Sequence, residues 1–348
     1  MCSPDVFFAD LKKRLPETGR CYLLLDVVEY LSDAAQVLNS LNREDRLDVY
    51  VTVSHASGFA TDVSTVFRGR GDVVHVFPLS FAEFMSGLDG GLHEAWAQYS
   101  RYGGMPAVVA LESEEEKRSR LTSFLKDTCV ADVAGYYDVG KTSELEALIR
   151  VIASCAGQFI DSTRVAKKST NGAGVTVNTV GCYLKYLEDT FLITSAHLYD
   201  IKRKRRFGSP VKFFFEDVGL CGTASGFDVN PNRMVLENVI FNELRMRGYE
   251  VELGSVLKRK VRNGRSLAEQ LEVSFVTNRL SRRIYVQVAD DSSGEVGVQA
   301  QKAALMAIRD SFKKIIVLGR PVVPAYDEDG IFYIGFLDFL LKPEMLLW

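Results

Sequence analysis

The sequence predicts an α/β protein that begins with a parallel β-sheet. Residues 21–25 form an apolar run that stops on Asp26, and residues 48–54 form a second strand candidate. The amphipathic segment 33–41 separates them, and a third strand candidate, residues 72–77, follows at similar spacing. Strands that alternate with helices in this way build βαβ units, whose strands pair in parallel. The near-continuous apolar character of these runs is typical of strands buried on both faces.

The composition describes an ordinary globular protein. With 348 residues, 47% of them hydrophobic and 25% charged, the chain has room for two or three domains. A formal net charge of −3 argues against a protein whose whole surface binds nucleic acid, but it is compatible with a local basic patch. The six cysteines form no close pairs, so the sequence indicates neither a zinc knuckle nor a disulfide framework. We expect a cytoplasmic protein without a membrane partner.

The remaining elements follow from hydrophobic periodicity and turn residues. In the first part, helices are predicted at residues 6–15, 121–133, 159–166 and 179–188, and a hairpin at 191–201. In the last part, which starts near Pro210, the pattern predicts strands at 271–276, 284–289, 314–318 and 330–341, and helices at 233–247 and 299–309.

Asp26 stands where open α/β sheets bind ligands, at the carboxyl end of a predicted strand. In P-loop NTPases an aspartate at this position holds the magnesium ion of a bound nucleotide. The next residue is Val27, where ATP-hydrolysing enzymes usually carry a glutamate that orients or deprotonates water. The alternative is that Asp26 merely ends the strand or caps the following helix.

Residues 135–142, GYYDVGKT, match the phosphate-loop pattern G-x-x-x-x-G-K-[ST]. A phosphate loop joins a strand to a helix, whereas the preceding residues 121–133 have a helical pattern. Tyr136 and Tyr137 would also crowd a phosphate, and Asp138 would repel it. We therefore interpret the match as chance.

Several segments resemble prokaryotic AAA-type ATPases that carry a C-terminal domain similar to restriction-endonuclease-like nucleases. The matching segments are 23–26, 52–57, 69–70, 78–84, 102–106, 236–238 and 244–249. The resemblance covers nearly the whole chain and implies three parts. These are a truncated AAA-type ATPase domain with part of a P-loop sheet (1–105), a helical lid with a winged-helix-like domain (106–207), and an endonuclease-like α/β domain (208–348).

The resemblance also implies a nucleotide site. Asp26 would contact magnesium, Ser54 would be the sensor residue, and Arg70 would stabilise developing charge. The phosphate loop and its lysine, which precede this point in the family, are not found before Cys21. ATP and Mg²⁺ are therefore implied only by the resemblance, and we expect no tight ATP binding by this chain.

An endonuclease of the implied fold uses a helix Glu, a strand Asp and a Glu-x-Lys on the next strand to hold magnesium and activate water. The resemblance places Glu237 at the helix position and Ser274 at the aspartate position. Gln287-Val288-Ala289 then stands in place of Glu-x-Lys. Glu272 lies beside the site, but two carboxylates make a poor magnesium cage. We expect Glu237 and Glu272 to be structural, with no metal bound.

A basic run follows the predicted hairpin and consists of Lys202, Arg203, Lys204, Arg205 and Arg206. Such a run could clamp a nucleic-acid backbone through its phosphates. The alternative is a solvated hairpin edge, since charges on an edge also prevent strands from pairing with other chains.

The sequence therefore favours an AAA-type ATPase-family protein that has no catalytic activity in this chain and acts as an interaction module. Its expected partners are nucleic acid, bound weakly and without sequence preference, or another protein. An open edge of the N-terminal sheet also predicts self-association. Two alternatives stay open: an ATPase whose phosphate loop comes from an upstream segment or a partner, and a gene remnant without activity.

Overall fold

A computed structural model describes residues 4–16, 18–28, 31–53, 71–88, 90–161, 163, 165–166, 176–227, 232–262, 265–290 and 294–346. The chain divides into two compact units. Unit 1 comprises residues 1–76 with 186–191, and unit 2 comprises 77–185 with 192–348. In the described ranges, no helix is long and apolar enough to cross a membrane.

Unit 1 contains a two-stranded parallel sheet. Leu23 and Leu25 on one strand, and Val49 on the other, pack against the buried Val37 and Leu38 of a helix. Because this crossover joins parallel neighbours, the predicted βαβ arrangement of the first two strands is confirmed. The elements are α1 (Pro4–Arg14), β1 (Cys21–Leu25), α2 (Ala34–Leu41) and β2 (Leu47–Val51).

The prediction of a third strand at residues 72–77 is wrong. These residues adopt no regular secondary structure and pair with no described strand. Val73, Val74 and Val76 are 89%, 79% and 85% exposed, so their apolar pattern buries nothing. A β-branched run becomes a strand only when a neighbouring strand pairs with it, and none of the described strands does so here.

Unit 2 opens with helices. They are α3 (Phe81–Ser86), α4 (Leu92–Tyr102), α5 (Pro106–Val109), α6 (Glu114–Ser123), a π-helical segment (Phe124–Val130), α7 (Ala131–Tyr136) and α8 (Thr142–Ser154). A further helix, α9 (Val177–Asp189), begins in unit 2, and its residues from 186 on are assigned to unit 1. The helices predicted at 121–133 and 179–188 are confirmed. Ile160, predicted to be helical, instead forms a β-bridge with Val211.

The rest of unit 2 is built on an eight-stranded mixed sheet with the order β4-β3-β5-β6-β7-β8-β10-β9. Its strands are β3 (Ile193–Asp200), β4 (Arg205–Phe215), β5 (Glu250–Arg262), β6 (Arg265–Arg279), β7 (Arg282–Ala289), β8 (Lys313–Leu318), β9 (Ala325–Tyr326) and β10 (Phe332–Gly335). Its helices are α10 (Val218–Ala224), α11 (Asn232–Met246), α12 (Gly294–Met306) and α13 (Phe336–Leu341), and a 3₁₀ turn (Pro343–Leu346) follows.

Two buried clusters lie against this sheet. One joins Ile240 of α11 and Phe339 of α13 to Phe275 and Val286 of the sheet. The other joins Leu305 of α12 to Tyr285 and Ile316. Helix α11 and helix α12 therefore bury different apolar sets, as expected for a sheet with a core on each face.

The hairpin predicted at residues 191–201 is wrong, because residues 193–200 form the single strand β3, whose hairpin partner is β4 on the other side of the basic run. Strands β3 and β4 pair in antiparallel fashion, and β3 also pairs in parallel with β5. The boundary predicted between residues 207 and 208 falls inside β4. Strand β5 was missed by the sequence analysis, and residues 336–341, predicted as strand, form α13 because the chain leaves the sheet at Gly335.

The Tyr102-Gly103-Gly104-Met105-Pro106 motif packs against the buried Asp217, which caps α10. Asp217 accepts hydrogen bonds from the backbone amides of Gly104 (2.8 Å), Gly219 (2.8 Å) and Leu220 (3.2 Å). A Cβ atom on Gly103 would lie 2.0 Å from the Asp217 carboxylate, and one on Gly104 would lie 2.2 Å from the Leu79 carbonyl. Gly103 is thus required by the close approach of the backbone to a buried acid, and Gly104 by its close approach to the Leu79 backbone.

This acid makes stability depend on pH. Burial raises the pKa of Asp217 to about 6, although backbone amides oppose the shift. The folded protein then binds more protons than the unfolded chain between about pH 4 and 6, so the contribution of Asp217 to stability is lost as the pH rises through this range. We expect this loss to be on the order of 3 kcal/mol. The measurement is the free energy of unfolding in urea at several pH values from 4 to 7. In Asp217→Asn, the decrease of this free energy with rising pH should be smaller by that amount.

The exposed Asp132 of α7 gives a matched control, since Asp132→Asn also removes one carboxyl group but leaves the buried Asp217 in place. A slope in Asp217→Asn equal to that of the natural protein would mean that Asp217 does not titrate in this range.

Candidate functional site

Glu237 occupies a position where a charge is costly. It lies on α11, whose neighbouring residues Leu236 and Ile240 are part of the core, and its side chain is only 4% exposed. A carboxylate in such a place must be paired or must lose its charge. Its partner therefore decides what the site can do.

The partner of Glu237 is Lys212 of β4. The Lys212 Nζ lies 2.9 Å from Glu237 Oε1 and 2.5 Å from Glu272 Oε1. The lysine side chain is 3% exposed, whereas Glu272 on β6 is 43% exposed. The aromatic ring of Phe159 also lies 5.0 Å from the ammonium nitrogen. We call Lys212, Glu237 and Glu272 the ammonium cluster.

The charge state of the cluster follows from its geometry. Burial lowers the pKa of Lys212, but the nearby Glu237 and Glu272 outweigh that effect and raise the pKa above the ordinary lysine value. Lys212 is therefore an ammonium at neutral pH. Two carboxylates share one internal cation, at the position where the sequence analysis considered a divalent metal.

A second polar contact closes the sheet beside this cluster. Strands β6 and β7 pair from Arg279 opposite Arg282 to Phe275 opposite Val286, and the next opposing residues are Ser274 and Gln287. At this pair, the side chains of Ser274 and Gln287 make the hydrogen bonds between the two strands. The amide of Ser274 donates to Gln287 Oε1 (2.9 Å).

Three further bonds complete this contact. The Ser274 hydroxyl donates to Gln287 Oε1 (2.9 Å) and accepts from the amide of Val288 (3.1 Å). Gln287 Nε2 donates to the carbonyl of Glu272 (2.8 Å). Ser274 and Gln287 are 4% and 1% exposed, and we call them the polar clasp. Both stand where the nuclease resemblance requires carboxylates.

These contacts decide which chemistry fits. Magnesium requires several oxygen ligands, and the polar clasp uses its oxygens within the sheet. The carboxylates of the ammonium cluster already bind Lys212. Among the described residues, no group of His, Cys, Asp and Glu is arranged to hold a metal ion. The site therefore fits an internal ammonium and does not fit a divalent metal.

The nucleotide-site prediction rests on Asp26, which lies at the carboxyl end of β1 as expected. Its Oδ1 accepts a hydrogen bond from the Thr52 hydroxyl (2.5 Å), and the Thr52 Oγ1 accepts one from the amide of Val27 (2.9 Å). The other two predicted residues, Ser54 and Arg70, lie outside the described residues. Asp26 is exposed and carries one hydroxyl partner, so it could still contact a cation.

Residues 135–142 are not a phosphate loop in the structure. Helix α7 ends at Tyr136, a turn follows, and α8 begins at Thr142. The Lys141 ammonium pairs with Glu144 at 2.9 Å. Since no strand precedes the turn, the interpretation of this match as chance is confirmed.

The basic run lies in the turn between β3 and β4 and in the first residues of β4. Arg203 lies 3.8 Å from Asp200, and Arg206 forms an ion pair with the buried Glu252. Lys202 and Lys204 have no acidic partner among the described residues, and the Arg205 guanidinium covers the ring of Phe207. All five are exposed, but two of them are already partly neutralised.

Lys212 is the functional residue that the sequence analysis missed. It sits in the run Val211-Lys212-Phe213-Phe214-Phe215, where a lone charge among apolar residues indicates a buried ion pair. Its partners lie 25 and 60 residues away along the chain. The sequence therefore indicates that Lys212 is paired, but it does not identify the partners.

Comparisons with known proteins give a partial assignment. Residues 3–85 match the model of an AAA domain, which supports an AAA-type P-loop family for this part. Residues 93–230 match a domain of unknown function (DUF8612).

The relatives carry no described activity. An uncharacterized protein of Haemophilus influenzae is 27% identical over 339 residues, covering 95% of this chain and 80% of that protein. The uncharacterized protein MJ1544 of Methanocaldococcus jannaschii is 23% identical over 241 residues, covering 65% of this chain and 53% of its own length. Protein VC1899 of Vibrio cholerae, a solved structure, is 10% identical with a TM-score of 0.24 and covers 95% of this chain and 92% of that one. That score is too low to support an argument.

The ammonium cluster predicts a large effect of removing its cation. Lys212→Met keeps most of the side-chain volume but leaves Glu237 buried without a partner, which should lower the free energy of unfolding by about 3–5 kcal/mol. The double variant Lys212→Met with Glu237→Gln should recover much of that loss because no buried charge remains. Urea unfolding of the three proteins measures both effects.

Lys141→Met is the matched control, since its ion pair has the same 2.9 Å separation but is exposed. It should change stability little. If Lys212→Met were as stable as this control, the ammonium cluster would contribute nothing to the fold.

Proposed function

We propose that this chain is a non-catalytic relative of AAA-type ATPases whose C-terminal part is a nuclease-like domain that binds nucleic acid without cutting it. The observation that carries the proposal is the Lys212 ammonium between Glu237 and Glu272, at 2.9 and 2.5 Å. A cation built into the protein neutralises the carboxylates on which a hydrolytic metal site would depend.

The order of elements supports the nuclease-like resemblance. Helix α11 is followed by the antiparallel strands β5, β6 and β7, then by the crossover helix α12 and the parallel strand β8. Glu237 on the helix, Ser274 on β6 and Gln287 on β7 thus occupy the elements that the resemblance assigns to the metal ligands. The polar clasp supports inactivity, since neither a hydroxyl nor an amide replaces the charge of a carboxylate.

Nucleic-acid binding is supported by the hairpin between β3 and β4. Lys202, Lys204 and Arg205 are exposed there. A short exposed run of this kind contacts phosphates and reads no base edges, so binding should be weak and independent of sequence.

One observation favours a second candidate, an ATPase completed by a partner or an upstream segment. The AAA-domain match includes Asp26, and this carboxylate stands exposed at a strand end. Magnesium-dependent ATP binding measured by calorimetry, and abolished in Asp26→Asn, would favour this candidate.

For the C-terminal domain we expect no cleavage of supercoiled plasmid in the presence of Mg²⁺ or Mn²⁺, because the ammonium cluster leaves no free carboxylate pair for the metal. Gel electrophoresis of the plasmid after long incubation is the measurement. Glu237→Gln is the variant that tests the site, and Lys126→Gln, at an exposed residue, is its control. Nicking by the natural protein and by Lys126→Gln, but not by Glu237→Gln, would overturn the proposal of inactivity.

For the hairpin we expect salt-sensitive binding to duplex DNA that weakens when glutamine replaces Lys202, Arg203, Lys204, Arg205 and Arg206. The slope of log K against log salt should become shallower by about 0.9 for each phosphate that the variant no longer neutralises. The measurement is fluorescence anisotropy at low and moderate salt.

The control carries glutamine at five exposed basic residues elsewhere, and these are Lys12, Lys13, Arg120, Lys126 and Lys185. It removes the same charge and should bind like the natural protein. Equal weakening by both variants would show that net charge matters and that the hairpin has no special role.

A further inference from the structure

A cleft of about 360 Å³ lies next to the basic hairpin, within unit 2. It opens between the β3–β4 turn, the β6–β7 turn and the residues that precede β8. Lys204 of the hairpin is one of its lining residues. Its volume is in the range of pockets that hold small organic ligands.

Arg283, at the start of β7, is the central cation of the cleft. Its Nε donates to Asn278 Oδ1 (2.8 Å) and its Nη1 donates to the Tyr199 hydroxyl (3.4 Å). The guanidinium carbon lies 5.2 Å from the ring of Tyr199 and 5.8 Å from that of Phe312. Within the described ranges no carboxylate forms an ion pair with it. The guanidinium is therefore held in place by neutral groups and keeps donors for an anion.

The other charged groups of the lining favour an anion too. Lys204 and Arg282 are exposed cations at its edge, and Asp310 is the one acid among the lining residues. Asp310 already accepts a hydrogen bond from the Tyr285 hydroxyl (2.7 Å) and lies 3.7 Å from the Lys314 ammonium. The charge of Asp310 is thus offset by Lys314, and the lining is positive.

Apolar surface accompanies this charge. Phe312 is 42% exposed, and Leu280 and Ile201 complete the lining. An oriented guanidinium with an exposed aromatic ring is the pairing that binds a phosphate and a stacked base together. A simple phosphate site would not need the ring.

We infer that this cleft binds a nucleotide, with the phosphate at Arg283, Arg282 and Lys204 and the base against Phe312. The inference rests on the proposed nucleic-acid binding, since Lys204 belongs to both the hairpin and the cleft. It adds a preference that the hairpin cannot supply. A base must be unpaired to enter, so the nucleotide comes from a single strand or is free in solution.

The test uses fluorescence anisotropy with a labelled short oligothymidine and with a labelled duplex, and competition by AMP and by inorganic phosphate. The variants are Arg283→Gln and Phe312→Leu, and the charge-matched control is Arg150→Gln on the exposed side of α8. Thermal melting checks that each variant is folded, and Phe312→Leu changes a side chain that is 42% exposed.

We expect Arg283→Gln to weaken oligothymidine binding by about tenfold or more, as removal of a charge-assisted hydrogen bond implies. Phe312→Leu should weaken it by about fivefold or more, because the base then has no ring to stack on, while duplex binding stays unchanged. The control should bind like the natural protein. Competition by AMP at concentrations where phosphate fails identifies a free nucleotide as sufficient, and absence of such competition identifies a strand as the ligand.

Unchanged oligothymidine binding by Arg283→Gln overturns the inference. If the five-glutamine hairpin variant loses binding in the same assay, the hairpin proposal stands without the cleft. If neither variant loses binding, both proposals fail. If Arg283→Gln loses binding while the five-glutamine variant, which lacks Lys204, does not, the cleft binds its phosphate through Arg283 without Lys204, and the hairpin proposal fails.

Discussion

The C-terminal part of the molecule depends on the pairing of one buried ammonium with two carboxylates. Lys212 on β4 contacts Glu237 on α11 and Glu272 on β6, so a single side chain ties a helix to two strands of the sheet. Lys212 and Glu237 are both buried, so leaving either group without an opposite charge would be costly. The attraction between the two groups offsets part of the desolvation penalty of each.

The polar clasp adds no charge to the ammonium cluster beside it. A metal site with three carboxylates needs divalent cations to balance it, whereas two carboxylates with a lysine come close to balance by themselves. Ser274 and Gln287 replace charges by neutral groups that satisfy each other and the strand backbone. The gap between β6 and β7 is therefore closed by hydrogen bonds, and no ion is required to hold the two strands together.

Elements that depend on a local sequence pattern could be predicted, whereas contacts between distant parts of the chain could not. The β1–α2–β2 unit and α11 both follow from periodicity over short windows, and both are present. The hairpin expected at residues 191–201 is instead the single strand β3, because its partner β4 lies beyond the basic run. The run at 72–77 has an equally good pattern, yet it forms no strand because a strand needs a neighbour. The resemblance placed Glu237 at the helix position of the site and Glu272 beside it, and predicted that the two are structural. Their partner Lys212 could not be assigned, since nothing local in the sequence connects β4 to α11.

We conclude that the Lys212 ammonium occupies the space between Glu237 and Glu272, where the proposed nuclease-like resemblance would place a metal. Manganese titration followed by electron paramagnetic resonance tests this conclusion directly, because the signal of free Mn²⁺ falls when the ion binds. We expect the natural protein and Glu237→Gln to leave the same free Mn²⁺ signal at every concentration. Manganese uptake by the natural protein that disappears in Glu237→Gln would contradict the conclusion.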